Sequence, residues 1–473
     1  MHCREYCLER VQGFEVSAVE EHPDGNDVAY SWHPYTQMSE YLGGARLHIV
    51  RARGCWLEDV QGRRYLDGYS SIWTNVHGHG DPELDEALKA QLGRMAHSTL
   101  LGLNHPAAAA LSAELSSLTS GRLSRVFFSD CGAMAVEVAV KLSLQYWQLC
   151  GHKGRRRIVA MEHAYHGDSF GTMALGDSGG FHERFQPWMF PVERMPAPLH
   201  EECAGKVRAS GMGESLRWLD RYLAGRGGET ACLVLEPSVQ GAAGMRQQPP
   251  GFVSAVAERC RAAGVHFILD EIFVGFGRLG ELLVSEAEGV KADFLCLAKG
   301  LTAGYLPLGA TLASEEVFNA FLGRCKERKT FFHGQTFTGN PLACAVALKS
   351  IEKLRRPGVL DGMRLRAEVF GAALERALGG HANVPGLRQR GFAACIDLSP
   401  GDRSLRWHPD TRAAHRVCLE ARRRGLVLRA LGDSIPIVPP PVVTEEEIGF
   451  LAGVLRESID AVMPGLPAES ISQ

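Results

Sequence analysis

Between residues 120 and 315 the chain alternates short apolar runs with stretches whose apolar residues recur at helical spacing. The runs are continuous and not alternating, which is typical of strands covered on both faces of a parallel sheet. The stretch from Gly132 to Trp147 has helical spacing, with Val136, Val140 and Leu144 on one face. Ser129 and Asp130 precede it and are predicted as its N-cap residues. The runs predicted as strands are Arg125–Phe128, Arg157–Met161, Cys232–Leu235, Val265–Leu269, Phe294–Leu297 and Ala310–Ala313. This alternation predicts an α/β domain with a largely parallel sheet.

The pattern changes towards both ends of the chain. The first 30 residues are polar and predict a loosely structured lead-in. After residue 345, two Arg-rich helical patterns, Leu360–Leu378 and Thr411–Arg424, flank a strand candidate at Gly425–Leu428. Thr444 followed by Glu447 forms a capping box that predicts the start of a last helix. The C-terminal part therefore predicts a second, smaller α+β domain.

Composition and charge restrict the partners and the compartment. The chain has 473 residues, 51 Lys+Arg and 54 Asp+Glu, and a formal net charge of −3. This balance provides no basic surface for nucleic acid or anionic lipid. No apolar run reaches the roughly 18 residues of a membrane-spanning helix, and the charged N-terminal residues lack the apolar core of a signal peptide. The 13 cysteines show no CxxC pairs, which favours reduced thiols and a cytoplasmic protein.

Three predicted strands are followed by residues that can carry chemistry. In open α/β sheets, ligands bind beyond the carboxyl ends of the strands. Asp270 follows one strand and precedes the glycine-punctuated stretch Gly275–Arg278, and Lys299 follows another. Cys131 and Gly132 follow a third strand at a predicted helix N-terminus, where free N–H groups favour an anion such as phosphate.

A buried lysine, a buried aspartate and a phosphate cradle together favour pyridoxal 5′-phosphate (PLP) as the cofactor. A lysine amine can form a Schiff base with the PLP aldehyde, and burial lowers its pKa. A carboxylate can hold the pyridine nitrogen protonated. Taken alone, Lys299 is more readily explained as a surface residue and Asp270 as a helix cap. Their combination favours the cofactor site.

These residues resemble a known family. Leu269–Arg278 followed by Ala298-Lys299-Gly300 is similar to the signature of class III (ω) aminotransferases. The resemblance covers roughly residues 30 to 460. It implies PLP fold type I, with a large PLP-binding α/β domain at residues 81–345. It also implies a small domain built from both chain ends, with residues 1–80 as its N-terminal segment and residues 346–473 as its C-terminal part.

Three further stretches resemble the branch of this family that aminates 8-amino-7-oxononanoate in biotin biosynthesis. They are Trp32–Met38, Tyr165–Asp168 and His333–Cys344. The resemblance implies transamination of 8-amino-7-oxononanoate to 7,8-diaminononanoate in two half-reactions. The amino donor implied is S-adenosylmethionine or lysine. Ile72 and Pro436 stand where members that use S-adenosylmethionine often carry Trp and Tyr, so the donor stays open.

The resemblance also assigns cofactor roles residue by residue. Lys299 would form the Schiff base and move the proton, and Asp270 would pair with the pyridine nitrogen. Tyr165 would stack on the cofactor ring. Cys131 and Gly132 would give backbone N–H groups to the phosphate. The family usually has Ser-Gly-Ser here, whereas this chain has Cys131-Gly132-Ala133.

A further segment implies a homodimer with shared active sites. By resemblance, Gly334, Gln335 and Thr336 would reach the cofactor phosphate of the neighbouring subunit, although an ordinary loop before a helix at Asn340–Leu354 is the plainer interpretation. The substrate-binding residues implied by the family are Tyr35, Ile72, Trp73, Gly334 and Arg429. An arginine such as Arg429 can hold a carboxylate with two parallel hydrogen bonds.

Other classes of site are less well supported. His77 with His79, and His163 with His166, lack a third ligand at a recognisable spacing, so no metal site is expected. Gly275-Phe276-Gly277 lacks the third glycine of a dinucleotide-binding turn. Three alternatives stay open: another ω-amino-acid or diamine aminotransferase, an isomerase that uses the same cofactor, and a PLP-binding protein without catalysis.

Overall fold

A computed structural model describes residues 25–44, 46–177, 179–198, 200–203, 206–209, 211–402 and 404–470. Most of the lead-in predicted over the first 30 residues lies outside these residues. The chain divides into two compact units. The first comprises Met1–Ala52 and Leu57–Tyr65, and the second comprises Arg53–Trp56 and Leu66–Gln473.

The first unit contains the short helices α1 (Gly25–Tyr30) and α2 (Met38–Gly43). Asp27 connects its turns, accepting a hydrogen bond from the Tyr41 hydroxyl at 2.6 Å and bonding to His33 Nε2 at 2.9 Å. Three strands have residues in both units: β1 (Ile49–Arg53), β2 (Trp56–Asp59) and β3 (Arg64–Asp67).

The second unit contains a seven-stranded sheet. Its strands are β4 (Arg125–Ser129), β5 (Arg157–Met161), β6 (Glu193–Met195), β9 (Thr230–Leu235), β12 (His266–Asp270), β13 (Phe294–Leu297) and β14 (Gly309–Ala313). The spatial order is β4–β14–β13–β12–β9–β5–β6. Strand β14 is antiparallel to both neighbours, and the other pairings are parallel. All six predicted strands are present, so the predicted α/β fold with a mostly parallel sheet is confirmed.

The remaining strands are short. They are β7 (His200–Cys203), β8 (Lys206–Ala209), β10 (Val239–Gln240), β11 (Arg246–Gln247), β15 (Gly386–Arg390), β16 (Ala393–Asp397), β17 (Leu405–Trp407), β18 (Leu426–Val427), β19 (Ser434–Ile437) and β20 (Ala468–Ser470). Strands β15, β16 and β19 form an antiparallel sheet. Strand β18 pairs in parallel with β3, with Leu426 opposite Leu66.

The helices of the second unit include those predicted from the sequence, with limits close to the predicted ones. They are α3 (Ser70–Trp73), α4 (Pro82–Leu92), α5 (Pro106–Leu118), α6 (Gly132–Leu149), α7 (Phe170–Leu175), α8 (Met212–Arg226), α9 (Phe252–Ala262), α10 (Val284–Ala287), α11 (Glu315–Ala320), α12 (Pro341–Leu354), α13 (Val359–Leu378), α14 (Ala413–Arg423) and α15 (Glu445–Val462). The capping box of α15 forms as predicted, with Thr444 and Glu447 bonded to each other's backbone N–H. Helix α6 differs from the prediction, because Cys131 and not Ser129 or Asp130 is its N-cap residue.

Strand β12 explains why the central strands are apolar throughout. Ile268 packs in one buried cluster with Val136 and Ala139 of α6. Its neighbours Phe267 and Leu269 belong to the cluster that also contains Phe252 of α9. Successive side chains of a strand point to opposite faces, so both faces of β12 are covered and both require apolar residues. Within the described residues, no helix has the length and apolarity needed to cross a membrane.

Candidate active site

A cavity of about 600 Å³ opens in the second unit at the carboxyl ends of β4, β9, β12 and β13. Six of the residues predicted from the sequence line it: Trp73, Cys131, Gly132, Tyr165, Asp270 and Lys299. They come from five separate stretches of the chain, and the parallel strands bring their ends together as expected for an open α/β sheet.

Asp270 is the last residue of β12 and is 5% exposed. Its Oδ2 lies 2.7 Å from Nδ1 of the buried His166, and its Oδ1 accepts a hydrogen bond from the Ile272 N–H at 3.1 Å. These contacts fix the orientation of the carboxylate. Nε2 of His166 is buried and has no partner among the described residues, so this side of the ring is open to a ligand.

Lys299 begins the turn after β13 in a left-handed conformation, with φ of 46°. Its Nζ lies 5.1 Å from the centre of the Trp73 ring and 5.7 Å from the centre of the Phe273 ring. Desolvation in the cavity lowers the pKa of Lys299, and Asp270 and Glu236 oppose that shift by Coulombic attraction. A lowered pKa leaves more of the amine unprotonated near neutral pH, as a nucleophile or base requires.

Glu236 is a second buried carboxylate on the cavity, and sequence reasoning missed it. Its two oxygens accept hydrogen bonds from the N–H groups of Tyr165 at 3.0 Å and Gly241 at 3.1 Å. Burial raises its pKa to about 7. Glu236 directly follows β9, so the rule that selected Asp270 and Lys299 would also have found it.

The N-terminus of α6 faces the cavity through Gly132, Ala133 and Met134. No side chain caps this end of the helix, so its first N–H groups are available to an anion. The backbone is closely packed here. A Cβ on Gly132 would lie 2.9 Å from Ile272, and one on Gly167 would lie 2.4 Å from the Cβ of Ala133.

Trp73 ends a left-handed turn that contains no glycine. Ser70, Ser71, Ile72 and Trp73 have φ of 49°, 46°, 66° and 69°. The buried Asp67 stabilises the start of this turn, accepting hydrogen bonds from the N–H groups of Tyr69 and Ser71 at 3.3 and 3.1 Å. The turn places the Trp73 ring 4.7 Å from that of Phe273.

Arg278 stabilises the end of the same turn. It is 1% exposed and donates hydrogen bonds to the carbonyls of Asn75 at 3.0 Å and Pro439 at 2.8 Å, with a longer contact to that of Trp73 at 3.5 Å. Burial lowers its pKa to about 9. Arg278 also lowers the pKa of Lys299 by repulsion. It therefore acts on the site both through geometry and through charge.

Five other predicted residues of this unit do not line the cavity. Gly334 and Thr336 are exposed and Gln335 is half-buried, in the loop before α12. Ile72 is 51% exposed. Arg429 also lies off the cavity wall, but its side chain is hydrogen-bonded to Tyr69, whose ring packs edge-on against Trp73 at 6.3 Å.

Tyr35 belongs to the first unit, where its side chain is 51% exposed. Its predicted substrate role stays a prediction.

The histidine pairs have other partners. His77 contacts Ser350, His79 contacts Asp67, and His166 contacts Asp270. Among the described residues, no group of three or more His, Cys, Asp or Glu side chains is placed to hold a metal ion.

Comparison with known proteins assigns the family. The family described as Aminotransferase class-III matches residues 41–459. The chain belongs to this family. Class III aminotransferases depend on PLP, so the predicted cofactor and enzyme class are confirmed.

Relatives and solved structures agree with this class III assignment. The chain is 44% identical over 445 residues to adenosylmethionine-8-amino-7-oxononanoate aminotransferase of Geobacter sulfurreducens, covering 93% of this chain and 97% of the relative. The crystal structure of the enzyme of that name from Methanocaldococcus jannaschii superimposes with a TM-score of 0.86 at 36% identity, covering 93% of this chain and 98% of that one. A PLP-bound amine transaminase from an uncultivated Pseudomonas species gives a TM-score of 0.84 at 30% identity, covering 92% and 99%.

The cavity residues fit PLP. A desolvated amine, a fixed carboxylate and an uncapped helix N-terminus face one space, and these are the groups that an aldehyde, a pyridine nitrogen and a phosphate require. The buried Nε1 of Trp73 also has no partner among the described residues. When bound, PLP supplies an electron sink for the carbanion formed during amino transfer.

Proposed function

We propose that this class III aminotransferase transfers an amino group to 8-amino-7-oxononanoate, giving 7,8-diaminononanoate in biotin biosynthesis, with S-adenosylmethionine as the donor. The names of the relatives at 34–44% identity support this substrate pair. The observation that carries the proposal is the placement of Lys299, Asp270 and Glu236 around one cavity.

The chain's own residues can divide the chemistry as follows. Lys299 Nζ takes the proton from the carbon of the donor that bears the amine, since its lowered pKa leaves it partly unprotonated. In the second half-reaction it gives a proton to the carbon of the keto acid that receives the amine. Asp270, fixed by His166, would keep the ring nitrogen of the cofactor protonated. The N–H groups that begin α6 would hold its phosphate, and Tyr165, which lines the cavity, would pack against its ring.

Substrate recognition follows from the surrounding residues. Trp73 and Phe273 form an apolar wall beside Lys299, suited to a methylene chain. Arg429 is assigned to the carboxylate of the keto acid; its side chain is hydrogen-bonded to Tyr69, whose ring packs against that of Trp73. Tyr35 and Ile72 are assigned to the substrate pocket on the family resemblance.

The direct test mixes the PLP-loaded protein with 8-amino-7-oxononanoate and either S-adenosylmethionine or lysine, and detects 7,8-diaminononanoate by mass spectrometry. We expect product with S-adenosylmethionine. Product with lysine alone would assign the donor differently. The absence of product with both donors, together with amine transfer to pyruvate, would make the protein an amine transaminase and refute the proposed substrate.

The matched variant is Lys299→Ala. We expect it to lose turnover and the visible absorbance of lysine-bound cofactor while it still binds PLP through the helix N-terminus and Asp270. Persistence of that absorbance would show that another lysine carries the cofactor.

We infer that the protein works as a homodimer. Gly334, Gln335 and Thr336 lie away from the cavity of their own chain. Phe332 and Phe337, near them in sequence, are 81% and 56% exposed. The Phe337 ring lies 4.9 Å from that of His97, and the segment after His97 carries Leu101 and Leu103, which are 80% and 61% exposed. Such exposed apolar side chains are typical of a surface that is covered in an assembly. A partner covering it would let the segment reach the partner's cofactor phosphate.

We also infer that the enzyme is cytoplasmic. Ten cysteines in the described part of the chain are free thiols, and seven of these are buried, as expected in a reducing compartment. Fractionation of cells that express the protein would test this location.

A further inference from the structure

A second, smaller cavity of about 170 Å³ adjoins the active-site cavity, and Ala242 lines both. The polar side chains that line it belong to His163, Asp177, Arg246 and Ser434. None of these residues was assigned a role by sequence, fold or family.

The hairpin of β10 and β11 places Arg246 in this cavity. Arg246 pairs with Gln240 across the two strands. The turn between the strands contains Gly244 and Met245 with φ of 83° and 55°. The Gly244 carbonyl accepts a hydrogen bond from Arg388 Nε at 2.8 Å. The hairpin is therefore held against β15 on one side and the active-site wall on the other.

The guanidinium of Arg246 is not committed to a partner. Within the described residues it forms no hydrogen bond or ion pair, and its charge acts on Asp397 only at longer range. Asp397 is already satisfied, because it binds two guanidinium nitrogens of Arg388 and accepts the Ser434 hydroxyl at 2.7 Å. A half-buried arginine that lines a cavity and forms no ion pair with the described residues is arranged to receive a carboxylate from a ligand.

The negative charge of Asp177, which lines the same cavity, is balanced within the chain. Asp177 accepts the His163 N–H at 3.1 Å. The half-buried Arg194 attracts Asp177 and donates hydrogen bonds to the carbonyls of Ala174 and Gly176, each at 2.7 Å. The positive charge of Arg246 therefore remains available to a ligand.

The next step rests on the proposed function. The substrates of its two half-reactions carry their carboxylates at different distances from the carbon that reacts. In 8-amino-7-oxononanoate the carboxylate lies at the far end of the chain. In S-adenosylmethionine the carboxylate is attached to the carbon that carries the transferred amine. One fixed arginine cannot bind both carboxylates while each reacting carbon meets Lys299.

We propose that the second cavity is a carboxylate subsite for the amino donor, in which Arg246 binds the donor carboxylate while Arg429 binds that of the keto acid. Both candidate donors, S-adenosylmethionine and lysine, carry such a carboxylate. The remaining polar residues of the subsite are Ser434, His163 and Asp177, and Asp177 accepts the backbone N–H of His163.

The test compares kcat/KM for each substrate separately, because in a ping-pong reaction each ratio reports its own half-reaction. Arg246→Met is expected to lower kcat/KM for the donor by roughly tenfold or more, as the loss of a charged hydrogen bond does, and to leave that of the keto acid within about twofold. Arg429→Met is expected to do the reverse. Arg406→Met, which removes an exposed arginine on β17, should change neither ratio.

A second comparison varies the donor within each protein, so a difference in folding between wild type and variant does not affect the ratio of the two rates. Decarboxylated S-adenosylmethionine and 1,5-diaminopentane keep the amine but lack the carboxylate. With the wild-type protein, we expect each to reduce the cofactor's visible absorbance more slowly than its carboxylated parent. With Arg246→Met, we expect parent and analogue to become equal.

Two results would overturn the proposal. One is an equal loss for carboxylated and decarboxylated donors in Arg246→Met, with unchanged melting temperature and cofactor absorbance. The other is a larger loss for the keto acid than for the donor. These donor half-reactions can be measured without 8-amino-7-oxononanoate, so a failure of the proposed acceptor and a failure of this subsite give separate results.

Discussion

Two buried glutamates adjoin the active-site loops, and their effects on Lys299 differ. Glu236 raises the pKa of Lys299 by attraction. Glu271, the residue after Asp270, accepts the N–H groups of Val284 at 2.7 Å and Ser285 at 2.8 Å and does not act on Lys299. Burial raises the pKa of both glutamates to about 7. Substitutions at these two glutamates can therefore be compared to separate the electrostatic effect on the Lys299 amine from the loss of stability caused by altering a buried carboxyl group.

Glu236→Gln should therefore shift the pH dependence of the lysine amine. Removing a negative charge near Lys299 lowers its pKa, so the rate at which apoprotein captures PLP through Lys299 should reach half its maximum at a lower pH than in the wild type. Glu271→Gln has a similar packing cost and serves as the control, with the midpoint unchanged. An equal shift in both variants would contradict the assigned influence of Glu236.

Glu271 should also make folding stability depend on pH. Its pKa is about 7 in the folded protein and lies above the ordinary value of 4.5, so the folded state binds the proton more tightly. Its contribution to the free energy of unfolding therefore falls as pH rises from about 4.5 to 7, by up to about 3 kcal/mol. Gln does not titrate, so the stability of Glu271→Gln relative to the wild type should increase over this range in urea unfolding. A constant difference would contradict the raised pKa.

The residues that carry chemistry were largely predictable because they directly follow strands. Asp270 and Lys299 were found by that rule and line the cavity as expected. Tyr69 and Arg278 were not assigned roles, because their partners are a side chain and backbone carbonyls at least 161 positions away in the chain. No local pattern encodes such contacts.

At the level of elements, the left-handed turn of Ser70–Trp73 departs most from sequence expectation. Each residue with a side chain costs roughly 1–2 kcal/mol in a left-handed helical conformation, and a β-branched residue such as Ile72 is especially disfavoured. The hydrogen bonds of Asp67 and Arg278 at the two ends of the turn offset this cost. Glycine is the usual signal for this conformation, and the turn contains none.

At position 72, the glycine variant should be more stable than the alanine variant, which reverses their order of stability in an ordinary helix. In a right-handed helix, glycine is less stable than alanine by about 1 kcal/mol. At Ile72, where φ is 66°, we expect Ile72→Gly to be more stable than Ile72→Ala by about 1 kcal/mol. Thermal unfolding of the two variants measures the difference. If alanine were the more stable, the left-handed conformation would not persist in solution.

The strands were easier to predict than this turn because burial on both faces leaves a continuous apolar run. Phe294–Leu297 was predicted with its observed limits, and Val265–Leu269 was predicted one residue early. The N-cap of α6 was missed because Cys131 makes no side-chain capping bond, and the predicted Ser129 and Asp130 are the usual residues at such a position.

At the scale of the whole molecule, the inferred dimer makes a prediction about Phe332. Placing a charge on this 81% exposed side chain should disrupt an apolar subunit contact, since a buried unpaired carboxylate is costly. We expect Phe332→Glu to be monomeric by light scattering and to lose activity. Leu365→Glu is the control, because Leu365 is 63% exposed on α13, far from this loop in sequence. A dimeric Phe332→Glu would place the interface elsewhere.

The domain limits at residues 80 and 345 stay a prediction. They follow the change in pattern from alternating strands and helices to long Arg-rich helices. Limited proteolysis with mass-spectrometric identification of the cut sites would test whether cleavage concentrates near these positions.

The buried Arg278 has a consequence for when the active site can fold during synthesis of the chain. Its carbonyl acceptors at Trp73 and Asn75 leave the ribosome long before Arg278 itself, whereas the acceptor at Pro439 follows 161 residues later. Until then, the guanidinium lacks one of its acceptors and is costly to bury. The wall that carries Trp73 can therefore become rigid only when synthesis is nearly complete. A nascent chain would hold Lys299 for much of its translation in a site that is not yet able to select its substrates.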